Sequence, residues 1–309
     1  MKLVNPEIRF EVTNRCNARC IMCPREKMMR PQGVMDLSLF KRVLDEAIPY
    51  GLKQVVLENY GESFCDPGIF EKAKYAKDKG LNVYSVTNAS LIDEDACMKV
   101  LECFDRIRIS MYAITKKTYE RVHRGLIFED VMENVMRLIR FRKLSGRDTP
   151  RIEMNYLLLD ENAEELEKFL ETFDKLVDAV SVWKPHNWAD GRRYRKISSD
   201  KASCGRPFNG PLQVQWDGIV VPCCFDFDSK MVLGDLKTKS LDQVLKGDAY
   251  SRLRLAHQRC DFSDYPLCDL CDQTNKREDV LVYTTAKGLK VGATSSNKFN
   301  LLNEARSQE

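Results

Sequence analysis

Ile8-Arg9-Phe10-Glu11-Val12-Thr13-Asn14-Arg15-Cys16-Asn17-Ala18-Arg19-Cys20-Ile21-Met22-Cys23 decides how the chain reads. Its first part, 8–12, is short and apolar with β-branched members, the pattern of a strand. Its second part spaces three cysteines as C-x3-C-x2-C directly after that strand. The cysteines therefore fall on a loop at the strand's C-terminal end, where α/β barrels carry their active sites. Three thiolates can hold an iron–sulfur cubane and leave one iron without a protein ligand, open to a small molecule. A zinc site wants four ligands, and a zinc knuckle here would need a distant fourth residue.

Five more strand candidates follow, at 54–58, 81–86, 106–110, 152–157 and 179–183. Stretches with apolar residues at three- and four-residue spacing lie between them, at 37–48, 68–79, 116–124, 128–144 and 163–176, the last with Asn162 as an N-cap. Strands alternating with helices predict an α/β fold around a parallel sheet, either open and doubly wound or a partial (β/α)6 TIM-like barrel. Beyond Trp183 the texture changes. Residues 186–201 are polar and basic and read as a linker, with Asp190-Gly191 as a turn. The region 204–275 is cysteine-rich and contains a hairpin signal, with Asp217-Gly218 between the apolar runs 212–216 and 219–222. A helix is expected over 241–255 and a poorly ordered tail from Ala286. The expected organisation is a barrel over 1–190, a small β-hairpin/helix domain over 191–280 and a tail over 281–309.

The formal net charge of +3 gives no global pull toward nucleic acid or a membrane surface. No apolar run approaches the ~18 residues of a membrane span, and the start lacks the apolar core of a signal peptide, so a cytoplasmic protein is expected. Of 12 cysteines, nine fall in two groups, Cys16–Cys23 and 204–271. Clustered cysteines in a reducing compartment hold metal more readily than disulfides. Cys65, Cys97 and Cys103 read as small buried hydrophobes.

The cysteine triplet, continuing into Cys23-Pro24-Arg25, resembles the signature of the radical S-adenosylmethionine (radical SAM) superfamily, with Met22 where many relatives have an aromatic residue. Further segments match in order along 7–183. Tyr60-Gly61-Glu62-Ser63 follows the second strand where the family has a Gly-Gly-Glu-Pro-like motif against the SAM amino group. Only Gly61 and Glu62 match it strictly. Thr87-Asn88-Ala89 ends the third strand where relatives carry Thr-Asn-Gly beside the adenosyl group. Ser110 ends the fourth, and with Arg124 it corresponds to positions near the SAM carboxylate. The resemblance implies a [4Fe–4S] cluster on Cys16, Cys20 and Cys23, S-adenosyl-L-methionine as cofactor, and a flavodoxin- or ferredoxin-type electron donor.

Cys204, Cys223 and the C-x2-C pair Cys268/Cys271 resemble the SPASM/twitch extension of that superfamily. The run C-x2-C-x5-C-x3-C of the full two-cluster form is absent. The pattern fits the shorter form with one auxiliary [4Fe–4S] cluster, as in the 2-deoxy-scyllo-inosamine dehydrogenase type. Cys224 and Cys260 are then spare, and Cys224 could exchange with Cys223. The same four cysteines also suit a tetrahedral zinc site.

By this resemblance the chain is a radical SAM oxidoreductase. It would cleave SAM to a 5′-deoxyadenosyl radical, abstract hydrogen from a small, sugar-like or aminocyclitol alcohol, and pass an electron to the auxiliary cluster. Alternatives are a peptide-modifying maturase and a redox-neutral carbohydrate epimerase, dehydratase or decarboxylase. Many such maturases carry a peptide-recognition domain before the barrel; with the first strand starting by residue 8, none is expected here, which lowers the odds of that alternative without removing it. For an oxidation at a hydroxyl-bearing carbon, a base is sought among Glu11, Tyr60, Tyr112, Lys184 and His186, with Asn155 able only to hold a hydroxyl. His123 and His257 read as helix-surface residues. The basic run 184–196, with Arg192, Arg193 and Arg195, is either an anionic-substrate site or a solvated linker.

Overall fold

In the computed structural model the described residues are 3–276, 280–286 and 289–295. Six parallel strands form the centre: β1 (Glu7–Phe10), β2 (Gln54–Leu57), β3 (Asn82–Thr87), β4 (Arg106–Ser110), β5 (Arg151–Leu157) and β6 (Ala179–Trp183). They stand in the order β6-β5-β4-β3-β2-β1, each paired in parallel with its neighbour in sequence. A doubly wound sheet would reverse direction at its centre. This order does not, so the sheet is the partial TIM-like barrel.

Helices α1 (Leu37–Ala47), α2 (Ile69–Asp78), α3 (Glu94–Cys103), α4 (Lys116–Val122), α5 (Phe128–Leu144) and α6 (Leu166–Phe173) cover the outer face. Strand alternation sorts the residues. Ile8 and Phe10 of β1 are fully buried toward the helices, with Phe10 edge-on to Phe40 of α1 at 4.8 Å. Arg9 points the other way and pairs with Glu58 at 2.8 Å, as Arg108 of β4 pairs with Glu153 of β5 at 2.9 Å. The concave face of the barrel is thus polar and charged, and the convex face is the apolar core.

The sequence pattern misses α3. Its apolar positions, Ala96, Cys97, Val100, Leu101 and Cys103, are buried, and Asp93 caps it by accepting from the Ala96 N–H at 2.9 Å. Two cysteines stand where aliphatic residues would advertise the stripe. Asn162 occupies the expected cap position, yet its side chain turns inward to the carbonyls of Tyr112 and Leu157.

The C-terminal region widens the sheet at both edges. The hairpin β7 (Leu212–Val214) and β8 (Ile219–Val221) turns at Gly218, with φ +86°, and β7 lies parallel to β1. The short β9 (Gly234–Asp235) follows β8, and α7 (Arg206–Asn209) precedes the hairpin. The expected helix over 241–255 is two, α8 (Leu241–Leu245) and α9 (Asp248–Arg259), broken at Gly247, and α10 (Pro266–Asp269) carries Cys268. The expected tail needs correction. Strands β10 (Val280–Ala286) and β11 (Leu289–Ser295) form an antiparallel pair, and β10 runs antiparallel to β6. Their Val and Thr content suits strands, a signal the polar composition obscured. The patch at 299–302 lies outside the described residues.

Ala89, at the end of β3, holds the left-handed conformation (φ +61°) while fully enclosed. An L-residue with a Cβ is strained there. Ala89→Gly is expected to stabilise the protein by about 1 kcal/mol, read as a thermal-unfolding midpoint raised by roughly 2 °C.

Candidate active site

The cysteine loop leaves β1 and is held from several sides. The peptide of Gly61, beyond β2, lies so close to it that a Cβ would stand 2.1 Å from the Thr13 carbonyl oxygen and 2.7 Å from that of Arg15. Only glycine allows this approach. The Glu62 N–H donates to the Arg15 carbonyl at 2.9 Å. The buried Glu62 carboxylate is committed to the chain: Oε1 accepts from Thr87 Oγ1 at 2.7 Å and from the Phe64 N–H at 3.2 Å, and Oε2 accepts from the Asn88 N–H at 2.7 Å. Asn88 Nδ2 reaches Asn17 Oδ1, at 3.0 Å, between Cys16 and Cys20. Gly61, Glu62, Thr87 and Asn88 therefore converge as the sequence order requires, with the Glu62 carboxylate acting as a brace between strand ends.

On the other flank, the N–H groups of Arg19 and Ile21 donate to the carbonyls of Arg124 and Val122 at 2.7 and 3.0 Å. Gly125, at φ +90°, passes close to the Asn17 carbonyl. Arg124 contributes its backbone here, and its side chain is exposed. Ser110 sits at the end of β4 hydrogen-bonded to Tyr112, whose hydroxyl pKa burial pushes up to about 12. Two guanidiniums tie the loop's carbonyls, Arg25 to Ala18 at 2.7 Å and Arg192 to Met22 and Cys23 at 2.9 and 3.0 Å.

Burial raises the pKa of Cys16, Cys20 and Cys23, while the Arg25 charge pulls each of them down. Thiols buried in this way ionise when a cation occupies the space between them. The donor set fits an iron–sulfur cluster.

The second set also assembles. Cys204, Cys223, Cys268 and Cys271 line one small enclosed cavity with Phe225 and Leu267. Of the two neighbours, Cys223 lines this cavity, whereas Cys224 Sγ lies 3.7 Å from a guanidinium nitrogen of Arg206. Cys260 is exposed, and Cys97 and Cys103 are buried in the core. Among the described residues, no three His, Cys, Asp or Glu side chains converge to hold a single metal ion.

Several expectations are corrected. Glu11 is fully buried and both its oxygens are taken by Arg30, with the Trp216 N–H donating to Oε1 at 3.3 Å. Burial pushes its pKa up against the pull of Arg30. Since Arg30 also donates to the Phe227 carbonyl at 2.7 Å, Glu11 is a tie between barrel and C-terminal region, with no oxygen left to act as a base. Asn155 Oδ1 accepts from Trp183 Nε1 at 2.5 Å, and Lys184 is exposed. Two arginines of the basic run are paired, Arg192 with Asp190 inside the run and Arg195 with Asp272 next to Cys271, and these two brace the cysteine loops, while Arg193 is exposed. His123 and His257 are buried, at 1% and 2% exposure, not on helix surfaces. His123 Nδ1 stands 3.3 Å from Cys20 Sγ, and His257 Nε2 stands 3.7 Å from Cys268 Sγ. No spacing in the sequence links either histidine to its cysteine.

Between the two cysteine sets stand Tyr60, His186, Trp188, Phe225 and Phe227, ring against ring at 4.2–6.0 Å. The Tyr60 hydroxyl and His186 Nδ1 are buried without a hydrogen-bond partner. Burial holds the Tyr60 hydroxyl well above its usual range, next to Cys224, Cys223 and Cys23, so it keeps its proton. Burial, aided by Arg206, Arg195 and Arg192, lowers His186 to about 3, so its ring is neutral.

A barrel with three thiols on the loop after its first strand and four more around a second cavity defines an iron–sulfur enzyme of the SAM-cleaving kind. The family model of the Radical SAM superfamily matches residues 10–173, and that of the SPASM iron–sulfur cluster-binding domain matches 204–272. The chain belongs to the radical SAM superfamily. Its cofactors are accordingly [4Fe–4S] clusters and S-adenosylmethionine.

Among curated relatives it is 23% identical to the tungsten-containing aldehyde ferredoxin oxidoreductase cofactor-modifying protein of Pyrococcus furiosus, over 85% of this chain and 88% of the relative. Among solved structures it resembles BtrN in complex with AdoMet and 2-DOIA, at TM-score 0.60 and 17% identity over 88% of this chain and 94% of that one. It also resembles SuiB of Streptococcus suis bound to the precursor peptide SuiA, at TM-score 0.65 and 13% identity over 81% and 66%. Among the described residues no helix is long and apolar enough to cross a membrane.

Gly61→Ala is expected to displace the cysteine loop, so reconstituted protein should lose most iron from the N-terminal site and retain the auxiliary iron. Glu11→Gln should cost about 3 kcal/mol of stability, the scale of a broken buried pair, while turnover per folded enzyme persists. A general base in its place would instead lose roughly 100- to 10,000-fold in rate.

Proposed function

We propose that the protein oxidises an alcohol carbon of a small, sugar-like or aminocyclitol substrate. The observation that carries this reading is the closed second cavity with four cysteines of its own. Four protein thiolates occupy every iron of a cubane, which leaves electron transfer as the natural role there. Cys16, Cys20 and Cys23 would hold the cluster that, with SAM, would supply the carbon radical for hydrogen abstraction from the substrate. Oxidation is complete when the substrate also gives up its hydroxyl proton and one electron, the electron passing to the auxiliary cluster.

The residues lie in the right order for this. Tyr60 and His186 stand between the two cysteine sets with unpartnered polar atoms. A neutral His186 offers Nδ1 to a substrate hydroxyl and can receive its proton, while the protonated Tyr60 hydroxyl can donate to a substrate oxygen. The charged concave face, with the pairs Arg9–Glu58 and Arg108–Glu153, suits a substrate rich in hydroxyl and amino groups. A flavodoxin- or ferredoxin-type donor would reduce the first cluster. Likeness to BtrN supports the alcohol reading. Likeness to SuiB with its precursor peptide supports a second one, oxidation of a peptide by the same two sites.

The test is iron and sulfide content after anaerobic reconstitution of a Cys16/Cys20/Cys23 triple-alanine variant. About four irons per chain should remain and disappear when Cys268 is also replaced. Zinc in place of iron would remove the electron acceptor and with it the oxidation. Incubation of the wild type with aminocyclitols or candidate peptides, scored for loss of two hydrogens, separates the two substrate readings.

A further inference from the structure

Three observations surround His123. The segment Val122–Arg124 is zipped to the cysteine loop through Arg19 and Ile21, which fixes the position of the His123 backbone beside Cys20. The imidazole is buried and gripped between two aromatic rings, Tyr112 and Tyr119, each 4.7 Å away by centroid, with the Tyr119 ring stacked at 28°. Both ring nitrogens have defined neighbours: Nε2 lies 3.2 Å from the Tyr112 backbone nitrogen, and Nδ1 lies 3.3 Å from Cys20 Sγ.

A backbone N–H can only donate, so Nε2 must accept, and an accepting nitrogen carries no proton. The neutral ring therefore carries its hydrogen on Nδ1, directed at the sulfur of Cys20. Since Nε2 is held by a main-chain group at the end of β4, the proton on Nδ1 does not depend on any mobile partner.

We propose that His123 is a positioning residue whose Nδ1–H donates a hydrogen bond to the Cys20 thiolate and thereby sets the reduction potential of the cluster held by Cys16, Cys20 and Cys23. Adding an electron to a cluster increases negative charge on its sulfurs, so a donor aimed at one of them favours the reduced state. The inference rests on the iron–sulfur reading of the three cysteines, and goes beyond it in naming what tunes the site. The donor comes from the turn after α4, which also closes over the cysteine loop, so docking of that turn and ease of reduction are one structural property.

The experiment is a redox titration of the reconstituted holoenzyme followed by EPR, using the signal that responds to added SAM. In His123→Phe, which keeps an aromatic ring and removes the donor, the reduced-to-oxidised ratio at a fixed poise should fall roughly tenfold, a midpoint about 59 mV more negative for one electron. An unchanged midpoint in a fully loaded variant overturns the proposal. If His123→Phe does not retain the cluster, His123→Asn decides, because its amide N–H can take the place of Nδ1–H. A loaded His123→Asn near the wild-type midpoint supports the proposal, and a shifted midpoint or a lost cluster overturns it. In wild-type protein with 15N-labelled histidine, pulsed EPR of the reduced cluster should show a ring-nitrogen coupling that His123→Phe abolishes, and its absence from the wild type also overturns the proposal. Failure of wild-type protein to hold iron at Cys16, Cys20 and Cys23 would be seen before any comparison, and would sink the cluster reading itself.

Discussion

Packing of the peptide at Gly61 against the backbone of Thr13 and Arg15 is the contact on which the site depends. It brings the end of β2 within van der Waals reach of the cysteine loop, closer than any side chain would permit. Everything else on that flank follows from the approach. Glu62 can then hydrogen-bond to Arg15, spread its carboxylate across Thr87 and Asn88, and bring Asn88 to Asn17. A buried carboxylate is costly unless its oxygens are satisfied, and here the satisfied carboxylate fixes the ends of β2 and β3 relative to one another, while the Glu62 N–H and Asn88 tie both to the loop after β1. The loop's own geometry is set by these neighbours more than by its sequence, as expected of a site built on rigid elements with a supporting shell.

The two cysteine sets are coupled through packing. Glu11 and Arg30 are buried in the barrel wall, and Arg30 continues to Phe227, close to the second cavity. Arg192 and Arg195, from one segment, reach in opposite directions, to the carbonyls of the first cysteine loop and to Asp272 next to Cys271. Buried guanidinium pairs are poor sources of net stability but are strict about geometry. Their use where the barrel meets the C-terminal region holds the two cysteine sets in a fixed relation to one another.

Histidine usage shows the same economy. The chain has three. One lies against a cysteine of the first set, one against a cysteine of the second, and the third stands between the sets with a free nitrogen. All three are neutral because burial lowers their pKa. In the resting protein each offers a fixed donor or acceptor, and none carries a charge.

The sequence by itself determined the barrel and marked out the two cysteine groups. Strands of period two alternating with helical stripes, and cysteines at C-x3-C-x2-C and C-x2-C, are local patterns that survive without knowledge of the fold. The helix with cysteines in its stripe and the C-terminal strand pair were not legible, because their apolar signal is diluted by Cys, Thr and Lys. Tertiary structure alone decided the roles of single polar residues. Glu11 alternates into the barrel as its position demands, yet whether it meets a substrate or Arg30 depends on a residue 19 positions on. Cys223 and Cys224 are equivalent by spacing, and only the fold shows that Cys223 lines the second cavity while Cys224 lies against Arg206. His123 lies 103 positions from Cys20. A side chain's chemistry is written in its identity, but its partner is chosen by chain segments far away in sequence, and only folding brings the two together.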